Sequence, residues 1–583
     1  MANDMPPVAA ENVPAAPSGG TAGRRRATGG RRVAAKGSSL ETRGQVPGPG
    51  ASAVLDQAHV GDIRGALGTI RQHDTGSRRT WRRRLLTLAA IIGPGIIVMV
   101  GDNDAGGVAV YSQAGQDYGN TLLWVLPLLI PVLVVNQEMV VRLGAVTGVG
   151  HARLIKERFG RFWGWFSIGD LMVLDFLTIV TEFIGIDLAL GYFGVSRYLS
   201  VPLAALSLVA ITASGSFRRW ERFMLVFVVA NFLVVPLAVL SRPHAGPFLS
   251  GFVPGVSGGL NSTSALLIIS IVGTTVAPWQ LFFQQSNIVD KRITPRYINY
   301  ERADTVLGSI VTVVGATAMV VTCAFAFGHT RFFGNFTDAG GVARDLGHQL
   351  GHAAGTLFAL VLLNASIIGA AAVTLGTSYA VGDFFGARHS LHRSWREAPA
   401  FYASFTGLMV LAAAIVLIPH APLGLMTEAV QALAGVLLPS ASVFLLMLCN
   451  DLEVLGPWVN RPWLNALALF IIGILLMMSL VLVTTTAFPA LDVTLLGVIL
   501  TGVLLAVLVA TGAVYLLSPK RRARLEARPE RLPRRETWRM PPLALLGRPP
   551  WSRGRVLAMW SLRAYLVVAV VLLIVDAVKL GKA

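Results

Sequence analysis

Apolar runs long enough to cross a bilayer recur along this chain from about residue 85 to residue 580. They fall near 85–112, 121–142, 163–193, 199–214, 221–241, 262–285, 304–328, 353–383, 399–419, 427–449, 462–488 and 493–517, with a thirteenth read near 556–580. A helix needs about 20 mainly apolar residues to cross hydrocarbon, where no water can satisfy a bare backbone. The expected fold is therefore an all-α polytopic membrane protein with about twelve or thirteen transmembrane helices. The first run begins after a long basic stretch. A cleavable signal peptide would sit within the first ~30 residues instead. Cys323 and Cys449 both lie inside apolar runs and define neither a disulfide framework nor a zinc motif.

The formal net charge is +18, although only 14% of residues are charged. On a soluble chain that balance would point to nucleic acid. Here the charge sits in the tails and in alternate loops. Arg142, Arg153, Lys156, Arg158 and Arg161 follow the second run, Arg218, Arg219 and Arg222 the fourth, and Lys291, Arg292, Arg296 and Arg302 the sixth. Arg388, Arg393 and Arg396 follow the eighth, and residues 520–555 are more basic still. Positive loops stay in the cytoplasm, so the N-terminus is expected there, in a multi-pass protein of the cell membrane. The expected divisions are a disordered basic tail over 1–80, a ten-helix core over 85–449 and peripheral helices 11 and 12 over 462–517. A basic cytoplasmic linker over 518–555 and a candidate additional membrane helix over 556–583 complete them. The cluster from Arg78 to Arg84 reads equally as a contact for anionic lipid or as an orientation signal alone.

Two runs are interrupted in a way lipid would not tolerate. The first reads Gly93-Pro94-Gly95, then Gly101-Asp102-Asn103-Asp104-Ala105-Gly106-Gly107. The sixth reads Gly273-Thr274-Thr275-Val276-Ala277-Pro278-Trp279-Gln280. Glycine and proline weaken the helix and free carbonyls, which at membrane depth need an ion or a water-filled cavity as partner. Broken helices at corresponding places in two halves mark the substrate site of a transporter. Their separation by five spans fits an inverted five-plus-five repeat. A carboxylate at mid-membrane costs several kcal/mol and reads first as functional. Asp104 is the stronger candidate; for Asp102 a structural role, facing the cavity wall or capping the broken helix, is an equal alternative to a functional one. No nucleophile with paired His and carboxylate is found, so no enzymatic activity is expected. No Gly-x-x-x-x-Gly-Lys-Ser/Thr loop is found, which argues against an ATP-driven pump.

These residues resemble the Nramp family of divalent metal transporters. Asp104-Ala105-Gly106-Gly107, then Gln113-Ala114-Gly115, stand where the family has Asp-Pro-Gly-Asn and then Gln-Ala-Gly. Arg142 to Gly148 is similar to the end of its second span, Thr181-Glu182-Phe183-Ile184-Gly185 to its third, and Ala277-Pro278-Trp279 to its Met-Pro-His. Gln431, eight residues before Pro439, resembles the tenth-span glutamine that approaches the ion. The resemblance runs from about residue 85 to 517 and implies a LeuT-like inverted repeat. It implies a divalent cation as substrate, bound by Asp104 with Gly107, Thr274, Ala277, Gln280 and Gln431, and Glu182 as an acid on a proton or solvent path. For Gln280 and Gln431 an interhelical hydrogen bond is an equal alternative, and for Glu182 a structural ion pair.

The departures bear on which ion. The family's ion-binding Asn and Met are Gly107 and Ala277 here. A thioether favours soft transition metals, whereas oxygen ligands suit magnesium, which keeps several waters. An enlarged, oxygen-lined site is expected to take partly hydrated Mg²⁺, and also Mn²⁺, as in the Nramp-related magnesium transporter branch. The family's span-6 histidines correspond to Trp279 and Gln284, and none of the ten histidines falls in spans 1 or 6. Histidine is the side chain that titrates near neutral pH, so transport is expected to be uncoupled from protons. The alternatives are a proton-coupled Mn²⁺/Fe²⁺ importer and a non-transporting membrane metal sensor. The expected partners are the cation and membrane lipid, without nucleic acid or a resident cofactor.

Overall fold

The computed structural model describes residues 56–567, apart from 75, 77, 420–422, 489–490, 518–534, 548–555 and six positions between 557 and 566. Most of the N-terminal tail, the 518–555 linker and the candidate thirteenth span therefore lie outside the described residues.

The first apolar run is three helices, α1 (Trp81–Ile91), α2 (Pro94–Val100) and α3 (Ala105–Tyr118). Next come α4 (Val125–Thr147), α5 (His151–Phe159), α6 (Arg161–Tyr192), α7 (Arg197–Thr212), α8 (Phe217–Ala230), α9 (Val234–Leu240) and α10 (Ala245–Ser250). The sixth run is split into α11 (Ser262–Thr275) and α12 (Pro278–Asp290). After it come α13 (Ile298–Phe327), α14 (Ala339–Leu350), α15 (His352–Phe385), α16 (Pro399–Val416) and α17 (Leu423–Cys449). The described helices end with α18 (Leu452–Leu455), α19 (Pro462–Ala487) and α20 (Val493–Leu517).

Among the described residues nine helices are long and apolar enough to cross a membrane, or ten if α1 and α2, bent by 55°, count as one span. The twelve runs read from the sequence all form helices, but α6 and α7 are not among those ten. α6 carries Asp170, Asp175, Glu182 and Asp187, and α7 is only 16 residues long.

Lipid tails are as apolar as leucine, so helices in a membrane associate through close packing, which small residues allow. Gly273 of α11 lies against Gly435 of α17, where a Cβ on Gly273 would stand 2.4 Å from the Gly435 nitrogen. Gly376 of α15 receives Phe283 of α12, with 2.9 Å between its would-be Cβ and the Phe283 Cβ. Phe282 and Phe283 are core residues, not lipid-facing ones. The outer faces of α8 and α20 stay bare, with Val229 69% and Val509 71% exposed.

The expectation of disorder up to residue 80 fails at its C-terminal end. Gln57–His59 form a 3₁₀ turn, and β1 (Ile63–Gly65) pairs antiparallel with β2 (Gly68–Ile70). A two-stranded hairpin is marginal alone. This one is held by side chains of the helical body. Arg218 donates to the Gly65 and Gly68 carbonyls at 3.0 and 3.3 Å, and Arg222 to the Ala66 carbonyl at 3.0 Å. The Ala66 amide donates to Glu221 Oε2 at 2.5 Å. Arg292 donates to the Ala58 carbonyl at 2.8 Å, and Arg393 pairs with Asp56 at 2.5 Å. Burial alone would raise the Asp56 pKa, but the Arg393 guanidinium, the Ala58 amide and the nearby His59 together outweigh it and hold the carboxyl at about 2.

Several arginines of the basic loops also serve the fold. Arg142 is buried, bonding Glu138, the Trp458 carbonyl and Asn460. Arg158 pairs with Asp451 at 2.6 Å.

Candidate functional site

Backbone breaks place the site. Between α2 and α3 the chain leaves the helix over Gly101–Asp104, and between α11 and α12 over Val276 and Ala277. Both are flanked by residues poor at continuing a helix: Gly101 and Gly106 in the first, Gly273 and Pro278 in the second. Pro278 occupies the first turn of α12, where its missing N–H costs nothing.

Asp104 is the N-cap of α3. Its Oδ1 accepts the Gly107 amide at 2.7 Å, so the freed donors of α3 orient the carboxylate. From α6, Glu182 Oε2 accepts the Ala105 amide at 3.2 Å. The two acids share one wall. A Cβ built on Gly369 of α15 would stand 2.5 Å from Glu182 Oε2 and 2.9 Å from the Asp104 Cβ. A Cβ on Gly107 would stand 3.1 Å from Thr274 Oγ1. One on Gly106 would stand 1.8 Å from Gln431 Nε2, so the amide of α17 rests on that glycine. The structure thus gathers Asp104, Gly107, Thr274, Gln431 and Glu182 around the first break.

Ala277 is the buried N-cap of α12. Gln280 is engaged in the bundle: its Oε1 accepts from Gln137 at 2.9 Å, and its Nε2 donates to the Thr275 carbonyl at 3.1 Å. That is the interhelical bond weighed as its alternative. Trp279 walls the break, its Cη2 3.2 Å from a would-be Cβ on Gly101. The extra room expected at Gly107 is absent in this conformation. A Cβ there would meet the Asp102 carbonyl at 2.8 Å, because the broken strand folds back over it.

Several buried polar atoms here have no hydrogen-bond partner. Both Asp102 carboxylate oxygens, Glu182 Oε1, Thr274 Oγ1 and Gln431 Nε2 are of this kind. Each such group costs about 1–3 kcal/mol, more for a charged one. A cluster of them at two broken helices marks a place built for something other than packing. Asp104 and not Asp102 caps α3, and the Asp102 carboxylate is left buried without a hydrogen-bond partner. Its signal was present in the sequence as a second mid-membrane carboxylate without a basic neighbour. Among the described residues no group of three or more His, Cys, Asp or Glu could hold a metal ion by itself. Any ion here would be held by one or two carboxylates, amide and hydroxyl oxygens, carbonyls and water.

The site is shut. Asp104 is 2% exposed. A hollow of about 20 Å³ on the α14 side is bordered by Ala105, Gln113, Thr181, Asp338 and Glu428. Another of about 10 Å³ on the other side is bordered by Asp170, Pro278, Phe282 and Ser440. Each has room for about one water.

Comparison with known proteins agrees with this architecture. Residues 95–485 match the family model described as natural resistance-associated macrophage protein-like, Nramp. A divalent metal cation transporter MntH of Staphylococcus aureus (strain JH9) is 29% identical over 297 residues, 47% of this chain and 64% of that protein. The corresponding protein of strain Mu3 is 28% identical over 296 residues, with the same shares covered. The chain thus spans 64% of the length of these curated relatives. A solved structure of the Eremococcus coleocola manganese transporter, in complex with an aromatic bis-isothiourea compound, superimposes with a TM-score of 0.58 at 21% identity. It covers 77% of this chain and 96% of that one, and so shares the fold. The match to the family model runs through both broken helices, and the chain belongs to the Nramp family.

Proposed function

We propose that this protein moves divalent metal cations across the cell membrane by alternating access, with its N-terminus in the cytoplasm. The cargo is partly hydrated Mg²⁺, with Mn²⁺ also carried, and no proton is coupled to it. The observation that carries the reading is the Asp104 carboxylate, held at a helix break beside unpartnered oxygens of Asp102, Glu182 and Thr274. The curated relatives are named as divalent metal cation transporters. Gly107 and Ala277 supply neither amide nor thioether, which leaves hard oxygen donors suited to magnesium. No histidine lies in α1–α3 or α11–α12. The membrane potential suffices as a driving force, because two charges moving inward across 100 mV gain roughly 4.6 kcal/mol. Asp104, with Gly107, Thr274, Ala277, Gln280 and Gln431, is the proposed ion site. The full set of twelve apolar runs is our count of spans.

One observation favours a second reading. Glu182 and Asp104 lie together against Gly369. Two carboxylates in one dry site can share a proton, as a proton-coupled manganese importer would need. Uptake of Mg²⁺ and of Mn²⁺ into proteoliposomes, with internal pH recorded, separates the two. The expected result is metal flux without stoichiometric acidification, lost in Asp104→Ala. Acidification that tracks metal entry would replace the uncoupled reading with the coupled one, and absence of any flux would leave the sensor.

A further inference from the structure

A cavity of about 680 Å³ shares no lining residue with the proposed ion site. It is a groove between the tip of the N-terminal hairpin, residues 66–68, and the outward face of α8. Arg218, Arg222, Leu225, Val226 and Val229 line it. Its polarity is graded along the helix. The two arginines stand in the first turns of α8, and the three apolar residues follow one to three turns further in. From Arg218 to Val229 the helix rises roughly 16 Å, at ~1.5 Å per residue. Val226 is 65% and Val229 69% exposed, so hydrocarbon must cover them in a membrane. At the other end Arg222 uses only its Nε on the hairpin and presents the rest of its guanidinium outward.

A charged end at the membrane surface and an apolar end pointing inward is the profile of one phospholipid. A soluble anion would leave the apolar end uncovered, and a docking helix would meet two cations. We propose that this groove binds a single anionic glycerophospholipid. Its phosphate pairs with Arg222 and Arg218, and one acyl chain lies along Leu225, Val226 and Val229. Leu67 at the hairpin tip is 66% exposed and covers the upper part of that chain. The hairpin itself is tied to α8 by Arg218, Glu221 and Arg222, so it forms one wall of the groove with or without the lipid. The inference rests on the membrane location and orientation of the chain, not on its cargo.

The test is native mass spectrometry of the full chain in detergent with chelator, titrated with phosphatidylglycerol or with phosphatidylcholine. One tightly retained phosphatidylglycerol is expected, with phosphatidylcholine retained at least about tenfold more weakly, as two basic groups imply. R218Q/R222Q is expected to lose the preference. V226W, which fills the groove and leaves both arginines in place, is expected to lose the bound lipid while the hairpin amides keep their hydrogen-exchange protection. R219Q removes an exposed charge from the same helix outside the groove and is expected to change nothing. Asp104→Ala, with the ion site disabled, is expected to retain the lipid. Equal retention of the two lipids, an equal loss in R219Q, or displacement by millimolar inorganic phosphate would each overturn the proposal.

Discussion

Lys291 Nζ stands 2.5 Å from Glu221 Oε1, and both side chains are sealed from solvent. The same ammonium donates to the carbonyls of Ile91 and Ile92, at 2.5 and 2.9 Å, where α1 gives way to α2. Across the kink, Asp304 of α13 accepts the amides of Gly93, Gly95 and Ile96 at 3.0, 2.7 and 3.2 Å. Gly93 has φ +150°, and a Cβ there would stand 2.1 Å from Glu221 Oε1. One lysine and one aspartate thus satisfy both backbone ends that the kink leaves open.

Removing one member of that pair leaves a buried charge without its partner. Lys291→Met is expected to destabilise the protein by about 3–5 kcal/mol. The double variant E221Q/K291M is expected to lose less than K291M alone, because the Glu221 carboxylate is no longer left facing an apolar side chain. Unfolding midpoints of the purified protein in detergent check this, and equal losses in the single and double variants would refute the pairing.

At the proposed ion site, Asp104→Ala removes the carboxylate that α3 orients. A divalent ion close to a carboxylate gains at least the roughly 4 kcal/mol of a single-charge pair at 4 Å in a medium of effective dielectric near 20. Uptake at sub-saturating metal is expected to fall by about 100-fold or more. Asp104→Asn keeps a cap for α3 but not the charge. It is expected to fold normally and to transport as poorly as the alanine variant. Radiotracer uptake beside a thermal-stability measurement distinguishes charge from capping.

Gly106 is fixed by the amide of Gln431 resting on it. Gly106→Ala pushes that side chain away, and uptake is expected to fall about tenfold, equivalent to 1.4 kcal/mol of lost ion binding or closure. G106A/Q431A relieves the collision. Recovery of the unfolding midpoint without recovery of uptake would show that Gln431 serves the ion and not only the packing.

His389 lies outside the spans, with its Nε2 3.0 Å from Asp383 Oδ1. Burial pushes its pKa down, but the Asp383 carboxylate, the Ala387 carbonyl and the Asp290 charge together outweigh that and raise it from 6.5 to about 9. The folded protein therefore holds this proton more tightly than the unfolded chain. The stabilisation, roughly 3 kcal/mol, is complete below about pH 6.5 and is lost as pH climbs through 9. The unfolding midpoint is expected to drop across that window, and to drop less in His389→Gln. A variant with the same pH slope would remove His389 as the source.

The apolar runs, their interruptions and the charge asymmetry of the loops were legible because they are local. A membrane helix must satisfy its own backbone, so its length and breaks are written in consecutive residues. On that basis Asp104 and Thr274 stand out at the breaks before any contact is known, whereas Glu182 is singled out only through the family resemblance. Ordered structure at residues 56–70 was not legible. Its strands are three residues each, and what fixes them comes from far along the chain, Arg218, Glu221 and Arg222 from α8 and Arg292 from the loop after α12. Lys291 read as one more cytoplasmic charge, yet folding buries it against Glu221 and the α1–α2 kink. Tertiary structure alone also closed the room expected at Gly107 and turned Gln280 toward Gln137. Which polar groups find partners depends on helices brought together from far along the chain, and no local pattern encodes that.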